Sequence, residues 1–153
     1  MLVIHGSPLS GGSWRNKTAA LLAAGQLVIT YDRVGFGKSS QPTTGYHYDS
    51  FAEDLRKLVT QLELRDFALV GFSMGGGEVA RYLGKHGTKG ISHAVFISSV
   101  PPCLLKTPEN PEGVDASVFE VIQKAVAADR YAFFSEFFKN FYTTDLLRGK
   151  TMS

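Results

Sequence analysis

The chain has 153 residues, enough for one domain with a buried core and too few for two. Hydrophobic residues are 44% of it and charged residues 20%, with no polar low-complexity tract, a balance that argues against disorder. Sixteen Lys and Arg against fourteen Asp and Glu leave a net charge of +2, too small and too evenly spread for a nucleic-acid partner.

From the amino terminus, short apolar runs alternate with longer helical patterns. Leu2 to His5 reads as the first strand, and Trp14 to Ala24 as a weak helix ended by Gly25. Leu27 to Tyr31 is the second strand. Ser50 and Glu53 have capping-box spacing, and Phe51, Leu55, Leu58, Val59 and Leu62 then share one helical face. Phe67 to Gly71 is the third strand, with a helix over Gly75 to Lys85 after it, and Ile91 to Ser99 is the fourth. All four runs are nearly continuous in apolar residues, as in strands covered on both faces. This alternation predicts an α/β fold, a parallel sheet with covering helices and right-handed crossovers.

Four of the six prolines fall between Pro101 and Gly113 (Pro101, Pro102, Pro108 and Pro111). They divide the chain into a core over residues 1–100 and a Pro-rich linker with helices over residues 101–153. One of those helices is Ser117 to Ala128, with Val118, Phe119, Ile122, Ala125 and Val126 in its stripe. The other is Tyr131 to Tyr142, with Phe133, Phe134, Phe137, Phe138, Phe141 and Tyr142. The aromatic face is expected to pack within the chain; lining a pocket or a subunit interface is the alternative. The chain opens directly on a buried-type strand and closes nothing after Gly149, which predicts a piece of a larger architecture.

Gly71-Phe72-Ser73-Met74-Gly75 is a G-x-S-x-G pentapeptide, the only one in the chain. Chance supplies about 0.1 such matches in a chain of this composition, so the context carries the weight. The motif follows an apolar strand and opens a helix, which is the setting of a nucleophile elbow. The sharp turn strains the serine backbone, and the flanking glycines remove clashing Cβ atoms. Ser73 Oγ is then presented at a helix N-terminus, where unpaired N–H groups favour negative charge. The Met74 N–H is placed to donate to an oxyanion developing on a substrate carbonyl. The alternative is an ordinary Gly-rich turn between strand and helix.

In the hydrolase pattern the second oxyanion donor comes from a loop after a neighbouring strand. Leu2 to Leu9 supplies such a loop, and the Ser7 N–H is the candidate. Gly6, His5 and Phe72 are the expected pocket residues; His5 reads either as a hydrogen-bonded structural residue or as a catalytic base. Asp32 to Ser39 approaches a phosphate-binding G-x-x-x-x-G-K-S loop, but Asp32 stands at its first position. The helix such a loop requires is blocked by Pro42 and Gly45. Asp32 is instead expected to cap local N–H groups.

Val3 to Gly6, Tyr31 to Ser40 and Val70 to Tyr82 together resemble α/β-hydrolases, and more narrowly the cofactor-free (non-heme) haloperoxidase and arylesterase group. The resemblance runs over essentially the whole chain, including Asn110 to Val114, which leads into that group's cap helices. It implies a doubly wound sheet of local order 2-1-3-4, with Ser73 as nucleophile and Ser7 and Met74 as backbone oxyanion donors. It also implies ester hydrolysis through an acyl-serine, with a perhydrolase or haloperoxidase side reaction when peroxide replaces water, and no metal or other cofactor. The group usually carries a bulky aromatic at the position of Ser7, so a more open pocket is expected here. Its members are close to twice as long, and the acid and histidine of their triad follow strands beyond the cap. After Ser73 only His86 and His93 remain, both placed too far from the elbow to serve, and His47 lies in the loop after the second strand. The resulting expectation is a serine esterase completed by residues from another subunit; the alternative is a catalytically incomplete binding or assembly module.

The run Ile91 to Val100 would be an inner strand in the full family and is expected to be an exposed apolar edge here. The expected substrate is a small ester or carboxylate, and the expected protein partner a second copy, joined through the fourth strand or the aromatic helices. No apolar run reaches membrane-spanning length and no secretory pattern opens the chain. With Cys103 as the lone cysteine, a cytoplasmic protein is expected.

Overall fold

In a computed structural model, which describes residues 1–100 and 103–143, the first apolar run forms strand β1 (Leu2–Ile4), every residue of it buried. The other runs give β2 (Ile29–Thr30), β3 (Phe67–Phe72) and β4 (Ile91–Ile97). All pair in parallel, in the order β2-β1-β3-β4. The α/β fold and strand order are therefore those expected. The described residues fall into two units, Met1–Pro102 and Cys103–Ser153.

In the first unit, a tight 3-10 turn (Gly11–Trp14) leads into helix α1 (Arg15–Ala23), and α2 (Tyr48–Gln61) and α3 (Met74–His86) follow β2 and β3. The core joins Leu2 and Ile4 of β1, Phe67 and Leu69 of β3, Ala52 and Leu55 of α2, and Val79 and Tyr82 of α3. Two-residue alternation along β1 and β3 and the helical period of α2 and α3 bring these apolar faces together. α1 buries no residue, in keeping with its weak pattern.

Two sequence expectations are corrected and one is met. α2 begins before Ser50: His47 is its N-cap and its ring accepts from the Ser50 N–H, while Glu53 reaches Lys85 at 2.9 Å instead of turning back to cap. β2 is shorter than the run Leu27 to Tyr31, and Leu27 is 74% exposed. β4 is the apolar edge strand expected of this chain: residues 92–97 are exposed, with Phe96 at 49%. It pairs with β3 on one side and stands at the sheet edge, where apolar side chains keep contact with water.

In the second unit, α4 (Ala116–Ala128) is capped by Asp115 and α5 (Arg130–Phe141) by Asp129, each carboxylate accepting from N–H groups of the first turn. Neither helix buries a residue among those described, so the expectation that the aromatic face packs as core is not met. The rings stack on one another along α5 instead, Phe133 on Phe137, Phe137 on Phe141, and Phe138 on Tyr142. Among the described residues no helix is long and apolar enough to cross a membrane.

The parallel order leaves the carboxyl ends of β1 and β3 side by side, with Ile4 in register with Gly71. This is the switch point of a doubly wound sheet, where ligands bind in folds of this type. Leu55, fully buried between α2 and the sheet, is the residue on which that frame is most simply tested. Leu55→Ala is expected to lower unfolding free energy by about 2–5 kcal/mol in urea titration. Leu27→Ala, at an exposed position, is expected to change it by less than about 0.5 kcal/mol.

Candidate active site

β3 ends at Phe72 and α3 starts at Met74, so Ser73 alone makes the turn. Its backbone sits at φ 52°, ψ −121°, a left-handed conformation that L-residues adopt at a cost of order 1–3 kcal/mol. Three backbone hydrogen bonds hold it there. The Ser73 N–H donates to Ile97 O at 2.9 Å, and Ser73 O accepts from the N–H groups of Gly76 and Val100 at 2.9 and 3.1 Å. The end of β4 thus clamps the turn. Ser73 occupies the N-cap of α3 without a side-chain capping bond, which leaves Oγ uncommitted to the helix.

The loop after β1 lies directly against this turn. A Cβ on Gly6 would stand 2.9 Å from Ser73 Cβ and 3.0 Å from Phe72 Cδ1. A Cβ on Gly75 would stand 2.6 Å from Ile4 O. Only glycine permits both approaches. Ser7 follows on the exposed side, its N–H donating to no group among the described residues. Met74 is the first residue of α3, where the helix leaves N–H groups without intrahelical partners. The edge of Trp14 meets the Phe72 ring at 6.5 Å. The structure therefore brings Gly6, Phe72 and Ser73 into contact and sets Ser7 and Met74 next to them in the chain.

His5 is completely buried. Its Nε2 accepts from the Arg33 N–H at 3.2 Å, and its Nδ1 lies 2.8 Å from Gly6 O. Burial, the largest influence, pulls the ring below its ordinary pKa, while the Gly6 carbonyl acts in the opposite direction. Both ring nitrogens are thus engaged by the backbone, an arrangement for a structural histidine and not for a base facing substrate.

Asp32 behaves as a loop cap. Its carboxylate accepts from the Gly11 N–H at 2.7 Å and the Lys38 N–H at 2.8 Å, and these donors, Lys38 first, hold its pKa below the usual carboxylate value. The turn therefore places an acid where a phosphate loop would need open N–H groups.

A buried polar cluster, absent from the sequence reading, lies beneath. Arg33 is 1% exposed and Glu78 is fully buried; Nη1 and Oε2 are 3.4 Å apart. The Tyr31 hydroxyl donates to Glu78 Oε1, and Arg33 lies over the rings of Phe36 and Phe51 at 5.0 and 5.3 Å. Burial pushes the Glu78 carboxyl up to about 7 against the opposing pull of Arg33. The signal available in the sequence was a glutamate on the small, apolar face of α3, one turn after the elbow. An open cavity of about 420 Å³ reaches this cluster between α2 and the loop after β2, with Asp54, Lys57 and Gln61 in its wall.

The remaining histidines stand elsewhere. His47 caps α2, His86 packs edge-on against Tyr82 near Glu53, and His93 pairs with Ala68 near the start of β4. Among the described residues no histidine is hydrogen-bonded to Ser73, and no group of three or more His, Cys, Asp and Glu could hold a metal ion.

The chain matches the alpha/beta hydrolase fold family over residues 1–152. It is 57% identical over 153 residues to a Synechocystis protein that carries a provisional non-heme chloroperoxidase name, covering 100% of this chain and 55% of the relative. The crystal structure of a bromoperoxidase from Bacillus anthracis superposes with a TM-score of 0.84 at 55% identity, covering 90% of this chain and 50% of the other. An esterase from Exiguobacterium antarcticum gives 0.83 at 31% identity, covering 89% and 51%. The chain spans about half the length of the curated relatives it matches.

The raised Glu78 pKa has a consequence for stability. Its folded value, about 7, exceeds the ordinary 4.5, so the folded state binds this proton more tightly than the unfolded chain does. That contribution is complete below 4.5 and is lost as pH climbs to about 7. Between about pH 5 and about pH 8, wild type is expected to lose stability relative to Glu78→Gln, as read by urea unfolding of both proteins. Parallel pH profiles would show that Glu78 does not titrate in this window.

Proposed function

We propose, for a chain that belongs to the alpha/beta hydrolase family, that Ser73 is the nucleophile of a carboxylesterase acting through an acyl-serine. The observation that carries this is the backbone of Ser73, held at φ 52° between β3 and α3 with the Gly6 loop pressed against it. This turn presents a hydroxyl beside helix N–H groups and the sheet's switch point.

In the reaction, Ser73 Oγ loses its proton to a general base as its bond to the ester carbonyl carbon forms. The carbonyl electron pair moves to oxygen, which the N–H groups of Ser7 and Met74 receive. Collapse expels the alcohol with a proton, and water repeats the sequence on the acyl-serine. Hydrogen peroxide in place of water yields a peracid able to oxidise halide, in keeping with the haloperoxidase names of two relatives. Small esters are the proposed substrate class, in a pocket that the small side chain of Ser7 leaves more open. Neither the chemistry nor the turn asks for a cofactor. The free Cys103 agrees with a cytoplasmic setting, and the exposed β4 edge and α5 rings are the surfaces for a second copy.

The general base is assigned to a second copy of the chain, since among the described residues none of the four histidines is hydrogen-bonded to Ser73. The same observation favours a second reading for the chain by itself, a hydrolase scaffold that binds carboxylic compounds with little turnover. Hydrolysis of p-nitrophenyl acetate by wild type and Ser73→Ala, with mass spectrometry of the elbow peptide, separates the two. An acetylated Ser73 and a rate that falls to background in Ser73→Ala are expected. Equal rates in both proteins, with no acetyl group on Ser73, would leave the scaffold reading.

A further inference from the structure

The N–H assigned above as an oxyanion donor is not free to point in any direction. The Gly6–Ser7 peptide is trans and planar, so the Ser7 N–H points opposite to the Gly6 carbonyl. Whatever holds that carbonyl therefore aims the N–H. Gly6 O is held from two sides, by the Leu9 N–H at 3.0 Å and by the buried His5 ring, whose Nδ1 is 2.8 Å away.

The ring can hold the carbonyl in only one tautomer. Gly6 O is an acceptor, so Nδ1 must carry the proton. The partner of Nε2 is the Arg33 backbone N–H at 3.2 Å, which can only donate, so Nε2 must be the unprotonated nitrogen. The two contacts specify the same neutral form. Arg33 also donates from Nη2 to His5 O at 2.9 Å, fixing the peptide on the other side of the ring. Its guanidinium is pinned in turn by Glu78 and by the rings of Phe36 and Phe51. The charged groups acting on the ring are Arg33 and Asp32, of opposite sign.

From this chain of contacts we infer that His5, locked as the Nδ1–H tautomer by Arg33, is the positioning residue that aims the Ser7 N–H at the oxyanion. The inference rests on the esterase reading for its function, but its geometry stands apart from it. His5 touches neither substrate nor Ser73 Oγ; it acts through the Gly6–Ser7 peptide. The arrangement also explains why a histidine sits at the end of a fully buried strand, where a leucine would be the simpler core residue.

Two measurements test it. Nitrogen-15 NMR of the His5 ring in the intact chain is expected to show the Nδ1–H neutral form unchanged from about pH 5 to about pH 8, although a free histidine titrates near 6.5. Phosphonylation of Ser73 by a p-nitrophenyl phosphonate, followed by mass spectrometry, reads the donor directly. Asparagine can place an N–H near the position of Nδ1, whereas leucine cannot. His5→Leu is expected to slow phosphonylation about 100-fold, the cost of losing one oxyanion donor, and His5→Asn to recover most of that loss. Matched melting temperatures of the two variants would separate this effect from unfolding. If His5→Leu fails to fold, the tautomer and the amide shift of Ser7 in His5→Asn decide the matter. An Nε2–H tautomer, a ring that titrates, or equal rates in the two variants would overturn the inference. A wild-type chain that takes up no phosphonate at Ser73 would sink the esterase reading instead, leaving the ring and amide measurements to decide the positioning.

Discussion

Two stretches of backbone approach so closely at the carboxyl ends of β1 and β3 that no side chain fits between them. Gly6 meets Ser73 and Phe72, and Gly75 meets the Ile4 carbonyl. Parallel pairing of β1 with β3 brings the two strand ends level, and the strained serine bridges the remaining gap into α3. A Cβ at either glycine would force the strands apart or push the turn back toward relaxed geometry. The rest of the first unit supports that approach. The end of β4 and the residues after it clamp Ser73 through Ile97 O and the Val100 N–H, and the apolar faces of α2 and α3 hold the sheet from one side.

A second layer of polar contacts stabilises the same place. A buried ion pair contributes little net stability, because desolvating two charges costs about as much as their attraction returns. Its effect is geometric: Arg33 cannot leave Glu78 without stranding a buried charge, and while it stays it holds His5 by side chain and backbone alike. Glu78 belongs to α3, Arg33 to the loop after β2, and His5 to the end of β1. One polar cluster thus joins three successive strand–helix connections around the elbow. Asp32 adds a tie from that second loop to the 3-10 turn at Gly11.

The strands and the turn at Ser73 were legible because each rests on a local signal, apolar runs, turn residues and a pentapeptide between strand and helix; the strand order came only from the family resemblance. The errors have local causes as well. Ser50-x-x-Glu53 carried a capping box, but His47 offered a better-placed acceptor and Lys85 drew Glu53 away. The aromatic stripe of α5 was periodic enough to announce a helix but silent on what it faces. Arg33 and Glu78 stand 45 positions apart in the sequence and meet only because β2 and β3 flank β1. No local pattern records such a pair.

The most direct test of this account is a crystal structure of the chain after reaction with a p-nitrophenyl phosphonate. The account predicts phosphorus bonded to Ser73 Oγ, with the phosphonyl oxygen within hydrogen-bond distance of both the Ser7 and the Met74 N–H groups. A phosphonyl oxygen turned to solvent, with the Ser7 N–H directed away from it, would contradict it.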